Sequence, residues 1–247
     1  MIVPETLCTI KLLAMDLWRT PVRQYGGRKS RMQLVSKTYS SADHAYREVK
    51  ERILTGVLPG GELISEGEVA SDLGMSRTPV REAFLRLETE GWMRLYPKRG
   101  ALVVPIPVAE AEHVAHARYV VEVAAVRAVA VRDRTALIAV LRASLDRQRA
   151  DAEAGDRERF ALEDTDFHRT YVVAADNPLL AGFYDSLRER QRRMNSLALH
   201  RGATDMAAII DQHAGLADLI EAGDADGFAT ALVAHLSTVH RLSLSGL

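Results

Sequence analysis

The sequence of 247 residues contains a single cysteine, Cys8, and no apolar run that approaches the roughly 20 residues needed to cross a bilayer. One cysteine excludes an internal disulfide framework and a cysteine-rich zinc site, and it is typical of proteins kept in a reducing compartment. The missing apolar run argues against a membrane-spanning helix. We therefore expect a cytoplasmic protein with no membrane partner.

The second absence is lysine, which does not occur after Lys98. Residues 1–105 hold 16 basic side chains against 12 acidic ones, whereas residues 106–247 hold 16 arginines against 21 acidic side chains. The formal charge of −1 therefore conceals a basic front half and an acidic back half. A basic front half suits a polyanionic partner, and an acidic back half does not.

The composition divides the chain into three segments. Residues 1–40 show no steady apolar period and predict an N-terminal extension, in part without a fixed fold. Residues 41–105 mix short helices and strands, and residues 106–247 are alanine-rich and helical throughout. Predicted helices of the last segment lie near 109–132, 135–154, 157–175, 178–199, 204–221 and 225–243. We predict a mainly α protein whose C-terminal part is an all-α bundle of six or seven helices.

The segment 41–105 has the element order of a winged helix-turn-helix. Apolar residues recur at helical spacing over 43–55, and a Gly/Pro turn and the short strand ELI follow. Ser65 caps a second helix that Gly74 ends, and a third helix begins within SRTPVREAFLRL, residues 76–87. Residues 92–106 predict two strands around a Pro-Lys-Arg-Gly turn. In such domains the third helix enters the major groove of DNA.

The third predicted helix carries arginines on one side and apolar residues on the other. Arg77 and Arg81 are four residues apart and project together, while Val80, Phe84 and Leu87 face the core. An arginine side chain can hold guanine O6 and N7 with two hydrogen bonds, which contributes roughly 1–3 kcal/mol of base discrimination. An ordinary small α/β domain with surface arginines is the alternative interpretation.

The start of this helix and the tip of the wing supply further candidate contacts. Thr78 suits the N-cap and Pro79 the first helical position, so that Thr78 and the free amides predict a phosphate site. Lys98, Arg99 and Gly100 form the predicted wing tip, where basic side chains reach the DNA backbone or minor groove.

Residues 45–104 closely resemble the DNA-binding domain of GntR-type bacterial regulators, from Glu66 through SRTPVREAFLRLETEGW to the wing PKRGALV. The motif is long and specific. The resemblance implies DNA contacts by Arg77, Thr78, Arg81 and Gly100, with Arg86 and Arg99 as backbone contacts.

Three histidines and one aspartate of the helical segment form a candidate metal site. Asp164 and His168 are spaced i, i+4, and His213 and His235 lie on the apolar faces of two helices. The turn AGDADG centres near 223–224, so an antiparallel pair places these two histidines almost level. Three imidazoles and a carboxylate suit Zn²⁺ or Ni²⁺. Hydrogen-bonded core histidines are the alternative.

The helical half resembles the FCD ligand-binding domain of the FadR branch of GntR regulators, in DTDFHRTYVVAADNPLL, DQHAGLADLIEAGD and AHLS. That resemblance implies the same four metal ligands, with an acidic metabolite beside the ion, and six helices rather than seven would indicate the VanR-like variant. It implies that Arg118 anchors the carboxylate of the effector, whereas spacing alone allows an exposed ion pair with Glu122. The remaining histidines match no ligand position: His44, His113, His116, His200 and His240.

These observations predict a sequence-specific transcriptional regulator, most simply a repressor, that binds a pseudo-palindromic operator as a homodimer because one recognition helix reads only a half-site. A small carboxylate bound at a divalent metal is expected to control it. Two alternatives remain open: a metal-dependent enzyme fused to a DNA-binding domain, and a DNA-binding protein whose bundle only dimerises.

Overall fold

A computed structural model describes residues 40–200, 202 and 205–244 of the chain. The predicted extension over residues 1–40 lies outside the described residues, apart from Ser40. The elements of the front domain are α1 (Ser41–Leu54), β1 (Leu63–Ile64), α2 (Glu66–Asp72), α3 (Arg77–Thr89), β2 (Met93–Tyr96) and β3 (Gly100–Val103). The elements of the second domain are α4 (Val108–Ala130), α5 (Thr135–Ala154), α6 (Arg157–Ala174), α7 (Pro178–His200), α8 (Met206–Ala222) and α9 (Ala225–His240).

The front domain is a three-helix unit with a small antiparallel sheet. Ser40 and Asp43 form a capping box at the start of α1, and their side chains satisfy amides that have no partner within the helix. Strand β3 lies between β1 and β2, so that Leu102 is opposite both Leu63 and Arg94. Helices α1 and α3 pack their apolar faces together and build the core.

Helix α3 begins earlier than the sequence predicts. Its N-cap is Ser76, whose backbone is extended, and Arg77 is the first helical residue, so the expected cap at Thr78 is wrong. The predicted and observed caps differ because the backbone is already helical at Arg77. Thr78 is therefore the second helical residue and Pro79 the third. Proline still costs nothing there, since the first amides of a helix have no intrahelical acceptor.

The described residues of the second domain form six helices, as the sequence predicts. Helix α6 packs against α4, α5 and α7, while α8 packs against α5 and α9. Phe160, Phe167, Tyr171, Leu141 and Leu232 are fully buried among these helices. Among the described helices, none combines the length and the apolar character that crossing a membrane requires.

Helix α7 also holds the front domain. The Arg192 guanidinium pairs with both carboxylate oxygens of Glu51 in α1, and Arg193 Nη2 donates to the Val104 carbonyl at 2.6 Å. Lys50 of α1 reaches Glu189 of α7 at 2.8 Å. About one turn of one bundle helix, from Glu189 to Arg193, is therefore tied to the front domain and the segment that follows it.

Candidate metal centre and nucleic-acid interface

The bundle brings together the four predicted metal ligands. Asp164 and His168 come from α6, His213 from α8 and His235 from α9, and each residue offers a ligand atom within 4.8 Å of the others. The rings of His213 and His235 have centroids 4.9 Å apart, as the level placement across the α8–α9 turn predicts. All four side chains are buried.

Each histidine ring is oriented by a hydrogen bond through its Nδ1 atom. His213 Nδ1 lies 2.8 Å from Gln148 Oε1, and His235 Nδ1 lies 2.8 Å from Gln212 Oε1. His168 Nδ1 lies 2.9 Å from Glu122 Oε2. Because amide and carboxylate oxygens accept hydrogen bonds, the Nδ1 atoms carry the protons and the Nε2 lone pairs stay free to bind a cation.

The Nε2 atoms of His168 and His213 are buried and have no hydrogen-bond partner in the described part of the chain. His213 Nε2 lies 3.5 Å from Asp164 Oδ1, too far for a hydrogen bond. Burial holds the pKa of His213 and of His235 well below the ordinary histidine value, and the neighbouring cationic groups add to this. A neutral His213 ring whose Nε2 atom has no partner fits a metal ion of the Zn²⁺ or Ni²⁺ type.

Asp164 is the one acidic member of the cluster. Its Oδ2 atom accepts a hydrogen bond from the Asn195 side-chain amide, and Oδ1 faces His213. Burial raises the pKa of Asp164, although the nearby His168 and Arg118 oppose that rise. A carboxylate in this surrounding gains from a cation at its free oxygen.

Arg118 forms the i, i+4 ion pair with Glu122 that the spacing allows. The pair is buried, however, and not exposed. The Arg118 Nε atom donates to Glu122 Oε1 at 2.8 Å, and both side chains are buried, 2% and 0% exposed. The Tyr184 hydroxyl donates to the same Oε1 atom at 2.7 Å, and the Tyr171 hydroxyl donates to Oε2. Arg118 Nη2 is buried without a hydrogen-bond partner among the described residues, so it remains available to an anion.

The candidate DNA contacts surround a groove between α3 and the wing. This cavity of about 680 Å³ is lined by Arg77, Arg81, Arg99 and Gly100, together with Lys98. Thr78 is exposed at the start of α3 beside them. The side chain of Ser76 makes no capping hydrogen bond, so the first amides of α3 are open to a phosphate oxygen.

Arg86 and Gly100 have structural roles that the sequence alone does not predict. The Arg86 guanidinium stacks on the Tyr46 ring at 3.6 Å and pairs with Glu90, away from the groove residues. Gly100 has a φ of +108°, and a Cβ atom there would lie 2.3 Å from the Ile64 carbonyl oxygen. Glycine at this position therefore lets β3 approach β1.

Sequence reasoning missed the side chains that orient the candidate metal ligands. Gln148 and Asn195 approach the cluster from α5 and α7, and only tertiary packing brings them there. Tyr171 and Gln212 could have been noticed, since one is three residues after His168 and the other precedes His213. Buried polar residues on otherwise apolar helix faces are the signal that identifies such groups.

A winged helix-turn-helix joined to a helical bundle with a buried histidine cluster defines a DNA-binding protein of the regulator class. Residues 41–103 match the family of bacterial regulatory proteins called the gntR family, and residues 113–238 match the FCD domain. The chain therefore belongs to the GntR family of transcriptional regulators, consistent with its FadR-type branch. Both matches are regulatory domains, and the chain is a regulator and not an enzyme.

Named relatives agree with this assignment. An HTH-type transcriptional regulator in an unstable DNA locus of Streptomyces ambofaciens is 30% identical over 195 residues, 78% of this chain and 81% of that protein. The gluconate operon transcriptional repressor of Bacillus subtilis is 26% identical over 183 residues, 72% of this chain and 74% of that protein. A GntR transcriptional regulator structure from Rhodococcus sp. RHA1 superposes with a TM-score of 0.64 at 19% identity, over 82% of this chain and 97% of that one, which supports the fold.

Proposed function

We propose that this regulator is controlled by a small carboxylate that binds beside a divalent metal ion in the helical domain. The observation that carries the proposal is the convergence of four buried ligand atoms within 4.8 Å, two of them unpartnered imidazole nitrogens. A polar cluster left unsatisfied in a bundle core is costly unless a ligand completes it.

The residues that would hold the ion are Asp164, His168, His213 and His235. When bound, such an ion supplies a Lewis-acidic centre that attracts an anionic oxygen. The chain itself fixes the ligands: Gln148 and the other Nδ1 acceptors lock the imidazole tautomers and ring orientations.

The residue proposed to bind the effector is Arg118. Glu122 holds its Nε edge at 2.8 Å and leaves Nη2 without a partner, so the guanidinium is fixed in orientation with one free donor. The guanidinium charge also lowers the pKa values of Asp164 and His235. An anion beside the cluster would therefore meet a preorganised cation. One relative is named a gluconate operon repressor, and gluconate is itself a carboxylate.

The front domain is proposed to read a pseudo-palindromic operator as a homodimer, and to repress transcription. Arg77 and Arg81 would contact bases, while Arg99 and the amides at Thr78 would contact phosphates. Gly100 would bring the wing backbone close to the DNA, and Arg86 would contribute a more distant backbone contact.

Helix α7 is proposed to transmit the effector signal. Its residue Asn195 bonds the metal ligand Asp164, and one turn earlier Arg192 pairs with Glu51 of the DNA-binding domain. A ligand that moves α7 would change the placement of α1, provided that it binds the two placements with different affinities.

The first experiment is elemental mass spectrometry on the full chain purified without a histidine tag. We expect about one divalent ion per chain, lost in His213→Ala/His235→Ala. The matched control removes two exposed histidines, His113→Ala/His116→Ala, and should keep the ion. Absence of metal after reloading with Zn²⁺ or Ni²⁺ would disprove the metal site and leave DNA binding untouched.

The second experiment tests control of DNA binding. An operator selected from a random double-stranded library would be titrated with the metal-loaded protein, with and without small carboxylates. We expect a carboxylate to shift operator affinity in the wild type and to have no effect in Arg118→Met. An operator affinity that no carboxylate changes would contradict effector control.

A further inference from the structure

A cavity of the helical domain contains a histidine that the proposed metal site does not use. The cavity has a volume of about 260 Å³, and His240 of α9 lies in its wall. The other wall residues are apolar, except Arg241: Ile106, Val108, Ala111, Met194, Leu197, Ala198, Val239 and Leu242.

The cavity continues the helix faces that carry the metal and effector residues. Ala111 lies seven residues before Arg118 on α4, two turns away on the same face. Val239 lies one turn after His235 on α9. With a rise of ~1.5 Å per residue, the cavity wall begins roughly 6–10 Å along the bundle from the cluster.

His240 presents an unsatisfied polar atom at this place. Its Nε2 atom is buried and has no hydrogen-bond partner within the described residues. Burial lowers the pKa of His240 to about 3, and the charges of Arg118 and His168 contribute to that shift. The ring is therefore neutral at pH 7 and lies within electrostatic reach of the proposed effector anchor.

We propose that this cavity is the subsite for the tail of the effector, and that His240 binds a hydroxyl or carbonyl group on that tail. The inference rests on the proposed function, because the carboxylate end is placed at Arg118. It assigns a chemical class: an unbranched acid of about six carbons whose chain is apolar and carries one hydrogen-bonding group near its far end. Two unpartnered donors or acceptors, at Arg118 Nη2 and His240 Nε2, would receive the two polar ends of such a molecule.

The test is calorimetric titration of the Zn²⁺-loaded full chain with acetate, butyrate, hexanoate and 6-hydroxyhexanoate. We expect affinity to rise by roughly fourfold for each methylene that enters the cavity. The hydroxy acid should bind His240→Phe about tenfold more weakly than wild type, because its hydroxyl loses its partner. Acetate should bind both proteins equally, and His240→Gln should restore much of the loss.

A cavity-filling variant provides an independent test. Ala111→Leu narrows the cavity without touching Arg118 or the metal ligands, and it should remove the gain with chain length while acetate affinity stays the same. Acetate binding with no gain from butyrate to hexanoate would overturn the subsite and leave the proposed function intact. Failure of all four acids, acetate included, would overturn both. Circular dichroism melting of each variant checks that the bundle is folded.

Discussion

The Glu122 carboxylate is the electrostatic centre of the bundle, and its replacement tests the description of the site. It accepts hydrogen bonds from Arg118 Nε, the hydroxyls of Tyr171 and Tyr184, and His168 Nδ1. Burial alone would raise the pKa of Glu122, yet these partners, Arg118 above all, hold it well below the usual range. Glu122→Gln removes the charge and turns one acceptor into a donor that faces other donors.

The expected loss follows from leaving Arg118 charged and unpaired in the interior. Removing one partner of a buried ion pair costs about 3–5 kcal/mol in unfolding free energy. For a domain of this size, 1 kcal/mol corresponds to roughly 3 °C in melting temperature, so Glu122→Gln should melt about 10 °C lower. The measurement is far-UV circular dichroism of the metal-free protein in a chelator, with Trp92 fluorescence in a Trp18→Phe background following the front domain separately.

A matched exposed pair supplies the control. On α5, Arg149 Nη1 lies 2.7 Å from Asp146 Oδ1, and both side chains are mostly exposed. Asp146→Asn should therefore change the unfolding free energy by less than ~0.5 kcal/mol. The double variant Arg118→Met/Glu122→Gln removes the stranded charge and should recover part of the stability. A Glu122→Gln loss below about 1 kcal/mol, equal to that of the control, would refute a desolvated pair.

The free energy of unfolding should depend on pH through Glu122. The pKa of Glu122 is lower in the folded protein than its ordinary value of 4.5, so its stabilising contribution is present above pH 4.5 and is lost as the pH falls toward the folded pKa. The stability difference between wild type and Glu122→Gln should therefore shrink below pH 4.5. A difference that grows on acidification would contradict the depressed pKa.

Three further predictions concern the wing, the metal and the DNA contact. Gly100→Ala should destabilise the front domain by more than Gly61→Ala in urea unfolding. Both glycines have positive φ, but only at position 100 would the new Cβ atom lie 2.3 Å from a carbonyl oxygen; equal losses would refute the clash. Gln148→Ala should weaken Zn²⁺ affinity 10- to 100-fold in competition with a chelating dye, and an unchanged affinity would remove its orienting task. Arg81→Ala should weaken operator binding roughly 5- to 150-fold in gel-shift titrations, whereas Arg149→Ala should leave it unchanged; an equal loss on random DNA would exclude base reading by Arg81.

Much of the fold and the ligand set could be predicted because both depend on local periodicity. The inward faces of α8 and α9 and the short turn between them place His213 and His235 side by side, and the structure agrees. The start of α3 was misplaced because Ser76 and Thr78 are both good caps, and only the backbone conformation decides between them. The burial of Arg118 could not be predicted, since an i, i+4 pair has the same spacing on a solvent-exposed helix face and on a buried one.

The burial of so many polar groups bears on what the bundle is for. Replacing a buried ion pair by well-packed apolar residues is often neutral or stabilising, so a domain that only dimerised would gain nothing from Arg118, Glu122 and Asp164 in its core. These residues and the three histidines are nevertheless buried in the core, where His213 stacks on Phe167. Two of the buried nitrogens that have no hydrogen-bond partner in the described part of the bundle belong to the cluster, at His168 and His213. Polar groups that lower the stability of the core are expected in a sensor domain, where a bound ligand satisfies them. They are not expected in a purely structural bundle.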